Sequence, residues 1–123
     1  MKKTLLFVLL ALMCNGIYSQ SSKEVKVADF IEKNSFTVTN STGKCKVKFN
    51  SEVRALTIDG YRIMLNRVYT KITYSEGLYF VVFECVSGNN CIVDPNGILR
   101  LEFAIPFGNR TKCNDFIRII DSL

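Results

Sequence analysis

Histidine and tryptophan are both missing from this 123-residue chain. Without histidine it has neither the usual general acid or base near neutral pH nor the commonest metal ligand. A serine nucleophile would find no imidazole to activate it, and no glycine-rich loop is present to cradle a phosphate. Proline is scarce, occurring only as Pro95 and Pro106. Long apolar runs are missing too. The longest, Leu5 to Met13, is about half of what a membrane crossing needs. It stands in "MKKTLLFVLLALMCNGIYSQ", where a basic start, an apolar stretch and a small, polar end give the layout of a secretory signal peptide. Residues 1–20 are therefore read as a leader cleaved after Ser19 or Gln20. Residues 21–123 are read as a single domain, secreted or periplasmic, without a stable transmembrane anchor. A lipid anchor on Cys14 is the lesser alternative, because Met13 is larger than the residue such a cysteine follows.

Strong charge is lacking as well. Removing Lys2 and Lys3 from the 16 basic residues leaves 14 against 11 acidic ones, a balance of +3. Nucleic-acid binding by phosphate neutralisation wants a concentrated basic stripe. The one cluster, "GKCKVKF", alternates its lysines with core-type residues and reads as the wet face of a half-buried strand. No nucleic-acid partner is expected.

Four cysteines do remain in the domain, Cys45, Cys85, Cys91 and Cys113. An even number in an exported chain of this size points to two disulfides, with three pairings open. The spacing of "CVSGNNC" is too wide for a redox pair of the Cys-x-x-Cys kind, and a closed zinc site would want a second close pair or a histidine. Direction suggests the pairing. Cys45 shares a strand face with Val47 and Phe49, while Cys113 heads the apolar stripe of the last segment, so Cys45–Cys113 and Cys85–Cys91 are expected.

The period of the pattern changes along the chain. "SSKEVKVADFIEKNS" carries a capping-box pattern from Ser21 to Glu24 and helical spacing at Val27, Ala28 and Ile31, although Val25 and Val27 also permit a strand. From Phe36 the period is two, with "SFTVT" and "KCKVKFN" reading as a hairpin around "NSTG". Asp59-Gly60 and Ser75-Glu76-Gly77 mark further turns. The run from Leu78 to Phe83 is apolar on both sides and reads as a central strand covered on both faces. "GILRLEFAIPF" places Leu99, Leu101, Phe103 and Ile105 on one side, and Pro106 ends the ladder. In "NRTKCNDFIRIIDSL" Thr111 or Asn109 can cap a helix whose apolar stripe is Cys113, Phe116, Ile117 and Ile120. The fold class is α+β: a curved antiparallel sheet or small roll of six to seven strands capped by a C-terminal helix.

Acidic chemistry has few candidates. Asp94 and Asn96 in "DPNG" match part of a calcium loop, but the further ligands are missing and a Pro-Asn-Gly turn explains the same letters. Asp59, Glu76, Glu84 and Glu102 fall in turns or on wet strand faces. No catalytic residue, metal or cofactor is assigned. Tyr61, Tyr69, Tyr74 and Tyr79, among the middle strands, and Asn89 and Asn90, at the tip of the cysteine loop, form a candidate binding face.

The lysine-led leader ending "YSQ", the strand-turn feature "FECVSGNNCI" and the helix after "FAIPFGNRTKC" resemble small uncharacterised secreted proteins of Bacteroidetes-type bacteria. The resemblance covers residues 34 to 123 and implies a pleckstrin-homology-like roll. It brings no catalytic residues, and the basic loops of phosphoinositide-binding relatives are not recognisable, so lipid-headgroup binding is not implied. The functional expectation is a noncatalytic exported module that binds a protein or cell-envelope component through a strand edge or tyrosine-bearing face. The alternatives are an inhibitor or immunity-type protein against a secreted enzyme, and a small secreted hydrolase.

Overall fold

The computed structural model describes residues 22–36 and 44–123. The first of the two expected hairpin strands, "SFTVT", the linking "NSTG", the leader and Ser21 lie wholly or largely outside them. Helix α1 (Ser22–Asn34) comes first, followed by β1 (Val47–Asn50), β2 (Ala55–Ile58) and β3 (Tyr61–Met64). A 3-10 turn at Leu65–Arg67 leads into β4 (Val68–Ser75) and β5 (Leu78–Cys85). Next come β6 (Ile92–Val93), β7 (Leu99–Arg100), β8 (Glu102–Phe107) and the closing helix α2 (Arg110–Asp121).

These eight strands make two antiparallel sheets, one ordered β1-β2-β3-β6-β7 and the other β4-β5-β8. The α+β class holds, and among the described residues the sheets do not close into a barrel. Two tight turns set the longer hairpins. Asp59 and Gly60 (φ +47° and +88°) join β2 to β3, and Glu76 and Gly77 (φ +52° and +83°) join β4 to β5. Positive φ at both central residues gives the turn the twist that the flanking strands require.

The second sheet carries the core on one face. Register pairs Ile72 with Val81 and Val81 with Ile105, and Phe83 with Phe103, so these side chains line up across three strands on the side where α2 lies. Helix α2 starts as anticipated: Asn109 caps it by accepting from the Lys112 backbone N–H at 2.8 Å. Its Cys113, Phe116 and Ile120 are buried, and Ile117 is partly so. The opposite face of β5 differs from the sequence reading. Leu78 and Phe80 are only half-buried there and just Val82 is well covered, because helix α2 has a single sheet face to lie on.

Helix α1 covers the edge of β1. Its Val27, Ala28 and Ile31 enter the core, and two of its carboxylates reach the outward amides of that edge. Glu24 Oε2 accepts from the Phe49 N–H at 2.7 Å and Glu32 Oε1 from the Cys45 N–H at 2.8 Å. An exposed strand edge is thereby occupied by side chains rather than left as a pairing template.

Two further departures have physical causes. Cys85 and Cys91 are bonded, with their Cα atoms 5.9 Å apart, but Cys45 and Cys113 are buried free thiols. The expected Cys45–Cys113 bond is thus corrected. Cys45 faces the carboxylates of Glu32 and Asp59, while Cys113 sits in the first turn of α2 beside Arg110, so the two thiols belong to different surroundings. The strand read as one piece in "GILRLEFAIPF" breaks at Leu101, where the chain leaves the first sheet for the second. Phe103 and Ile105 turn inward, whereas Leu99 and Leu101 are exposed.

The Phe116 ring lies 5.2 Å from that of Phe107, 5.8 Å from Phe30 and 6.4 Å from Phe83. Phe116→Ala is expected to cost about 3–5 kcal/mol, measured as the loss of unfolding free energy in urea; a loss under about 1 kcal/mol would contradict this account of the core.

Candidate functional site

The two sheets meet at one corner and part at another. At the joined corner the 3-10 turn carries the chain from β3 to β4, Leu101 carries it from β7 to β8, and the Cys85–Cys91 bond ties the end of β5 to the residue before β6. Hydrogen bonds from the Val86 N–H to the Arg67 carbonyl (2.9 Å) and from the Cys85 N–H to the Leu101 carbonyl (3.0 Å) tighten it. Where the sheets part, a cleft of about 350 Å³ opens between β8 and the β2–β3 turn. Ile31, Ile58, Tyr61, Phe103 and Ile105 give it apolar walls, and Asp59, Arg100 and Glu102 give it charge.

Backbone geometry makes this cleft more than a dent. The Leu101 carbonyl accepts from Cys85, and amides alternate in direction along an antiparallel strand. The amides of Phe103 and Ile105 therefore point at β5, and those of Glu102 and Ala104 point away from it. The same parity appears at Pro106, whose carbonyl accepts from the Phe36 N–H at 3.3 Å on the outer side, next to the Ser35–Phe107 bridge. Between Glu102 and Ile105 the edge of β8 has no strand partner among the described residues.

The wall opposite is held by two turns packed on each other. Pro95 presses on Gly60 so closely that a Cβ there would come within 3.1 Å of the proline ring. Asp94, which the sequence offers either as part of a calcium loop or as a turn residue, is buried and bonded within its own turn. Its Oδ1 accepts from the amides of Asn96 and Ile98, both at 2.9 Å, and its Oδ2 from Arg100 Nε at 3.0 Å. The Ile98 amide, with Arg100 and Asn96 behind it, holds the Asp94 carboxyl below its ordinary range against the opposing effect of burial. Both carboxylate oxygens are thus spent on the protein itself, as the turn reading of "DPNG" requires. The signal was present in the sequence as an aspartate two residues before an asparagine and six before an arginine.

Asp59 is placed differently. Its Oδ1 accepts from the Lys46 N–H at 2.9 Å, while Oδ2 is buried and, among the described residues, has no hydrogen-bond partner of ordinary geometry. The Cys45 thiol stands beside this carboxyl, so their contact is at most the weak one a thiol can make. Burial, reinforced by the Asp59 and Glu32 carboxylates, pushes the Cys45 thiol up to about 12. A thiol so held stays protonated and is a poor nucleophile.

The six residues singled out as a binding face do not come together. Tyr61 lines the cleft, its ring 4.4 Å from that of Phe103. Tyr69 and Tyr74 fall on opposite faces of β4 because they stand five positions apart, an odd number. Tyr69 lies opposite Glu84, beside the 3.1 Å Lys71–Glu84 ion pair, while Tyr74 meets Tyr79 at 4.8 Å and Arg110 lies 5.9 Å from the Tyr79 ring. Asn89 and Asn90 are exposed on the disulfide loop at the joined corner. Of the acids, Asp59 and Glu102 share the cleft, Glu84 is engaged by Lys71, and Glu76 is exposed in its turn. No cluster of three or more metal-ligating side chains occurs among the described residues. Nor is any described helix long and apolar enough to cross a membrane.

The raised Cys45 thiol makes a signed prediction. The unfolded chain loses this proton near 9 and the folded chain at about 12, so the contribution is complete below the first value and is lost as pH rises through that window. The melting temperature should fall from pH 9 upward, and less steeply in Cys45→Ala; identical slopes would place the titration elsewhere. No family model, curated protein or solved structure matches the chain.

Proposed function

We propose that this protein is a noncatalytic exported binding module that takes an extended segment of a protein or envelope partner as an added strand on β8. The observation that carries the reading is the stretch from Glu102 to Ile105, which has no strand partner among the described residues and lies beside an apolar cleft. Strand addition draws its affinity from main-chain hydrogen bonds and its selectivity from pockets for alternate side chains. The edge offers the outward amides of Glu102 and Ala104, and the cleft offers Tyr61, Phe103 and Ile58. The disulfide at the joined corner supports the export reading, because such bonds persist in oxidising compartments.

One observation favours a second reading, a small hydrolase. Asp59 and Glu102 line the same cleft, and paired carboxylates can share acid and base roles. The absence of histidine from the chain and the lack of any solvent contact at Asp59 Oδ2 weigh against it.

Ala104→Pro removes the outward amide at a position where an edge strand tolerates proline. Partners captured from an envelope fraction by the native protein should be lost by this variant, while its melting temperature stays within a few degrees. Equal capture by Ala104→Pro would overturn strand addition. Turnover of a peptide or polysaccharide panel that Asp59→Asn and Glu102→Gln abolish would establish the hydrolase instead.

A further inference from the structure

A second surface lies on the outer face of the first sheet, and only its end at Leu101 comes near the start of β8. Register places Lys48, Thr57, Arg62, Val93 and Leu99 in one row across its five strands. Their neighbours Val47, Ile58 and Tyr61 form the row that turns toward the core, so the Lys48 row faces outward. Lys46, two residues before Lys48, shares that face by the period of an extended chain. Lys46, Lys48 and Arg62 are exposed. None of the three has an ion pair among the described residues.

The far end of the row is apolar. Leu99, which ends the row, is 53% exposed, and Leu101, two residues further on, is 39% exposed. Adjacent strands lie about 4.8 Å apart, so the row runs roughly 19 Å from its lysine end to its leucine end. A sheet face kept wet for solubility alone has no use for aliphatic side chains at one end. A face that meets a partner has a use for both ends.

Charge and chemistry together select the occupant. A nucleic-acid backbone would engage the cations but leave Leu99 and Leu101 in water. A lipid surface would have to bury the amides next to the leucines. The Asn90 side chain donates to the Leu99 carbonyl at 3.4 Å, with Asn89 and Ser87 beside it, and amides without partners are costly in hydrocarbon. A protein can return hydrogen bonds to them. We propose that this face is a second interaction surface for an acidic, aliphatic segment of a partner protein, with carboxylates over Lys46, Lys48 and Arg62 and apolar side chains over Leu99 and Leu101. The disulfide loop fixes the leucine end in place.

The test uses the purified protein and a fluorescent synthetic peptide of about ten residues, glutamate-rich in one half and leucine-rich in the other. The expected result is binding that weakens about tenfold in Lys48→Glu/Arg62→Glu and again in Leu99→Ser. It should weaken also as salt rises, and should survive in Ala104→Pro, which separates this surface from the β8 edge. A peptide with lysine in place of glutamate should not bind. Failure of the acidic peptide to bind, equal binding by the variants or by the lysine peptide, or attachment only to phosphatidylglycerol vesicles would each overturn the proposal.

Discussion

The ring of Phe116 touches three others, one from α1 and one each from β5 and β8. That junction carries a heavy duty because the strands are short. Strands of two to four residues make up the whole first sheet, and such strands are not stable alone in water. They persist by packing on a core whose largest members are Phe83, Phe107 and Phe116. The ring contacts continue from Phe83 to Phe103 and from Phe103 to Tyr61, so the wall of the open cleft is built on the same aromatic column that holds the helices. Core and candidate site are two ends of one packed object.

Carboxylates play an unexpected part in this arrangement. In a protein with so few long strands, many amides are left facing outward, and buried amides must find acceptors. Glu24 and Glu32 serve the edge of β1, and Asp94 serves two amides of the turn that buttresses the cleft. Acids that pattern alone assigns to wet surfaces are here local substitutes for a missing strand. Among the described residues, the Asp59 carboxyl differs in keeping a buried oxygen without a hydrogen-bond partner of ordinary geometry.

Legibility followed the strength of local periodicity. Helix α2, with its cap at Asn109 and stripe at Cys113, Phe116 and Ile120, was readable because its 3.6-residue period is set by contact with one flat face. The turns at Asp59-Gly60 and Glu76-Gly77 were readable because a positive φ restricts the residue type. The split into two sheets was not, since β6 and β7 are two residues each and leave no period to detect. For the same reason strict alternation places Leu99 and Leu101 with Phe103, and only the passage between sheets at Leu101 breaks it. Cys45 and Cys113 were linked on the argument that both face inward, which is true, but facing inward does not bring two residues opposite one another. The tyrosines were grouped by their nearness in sequence, and strand parity then sent Tyr69 and Tyr74 to opposite faces.

Pro106 has a consequence for how the open edge can be used. It closes the outward run of donors on β8, since its nitrogen carries no hydrogen and its carbonyl is already taken by Phe36. Upstream, the outward groups end where the chain bends at Leu101. Bounded on both sides in this way, the stretch of β8 that has no strand partner among the described residues is too short to serve as a repeating ladder for further copies.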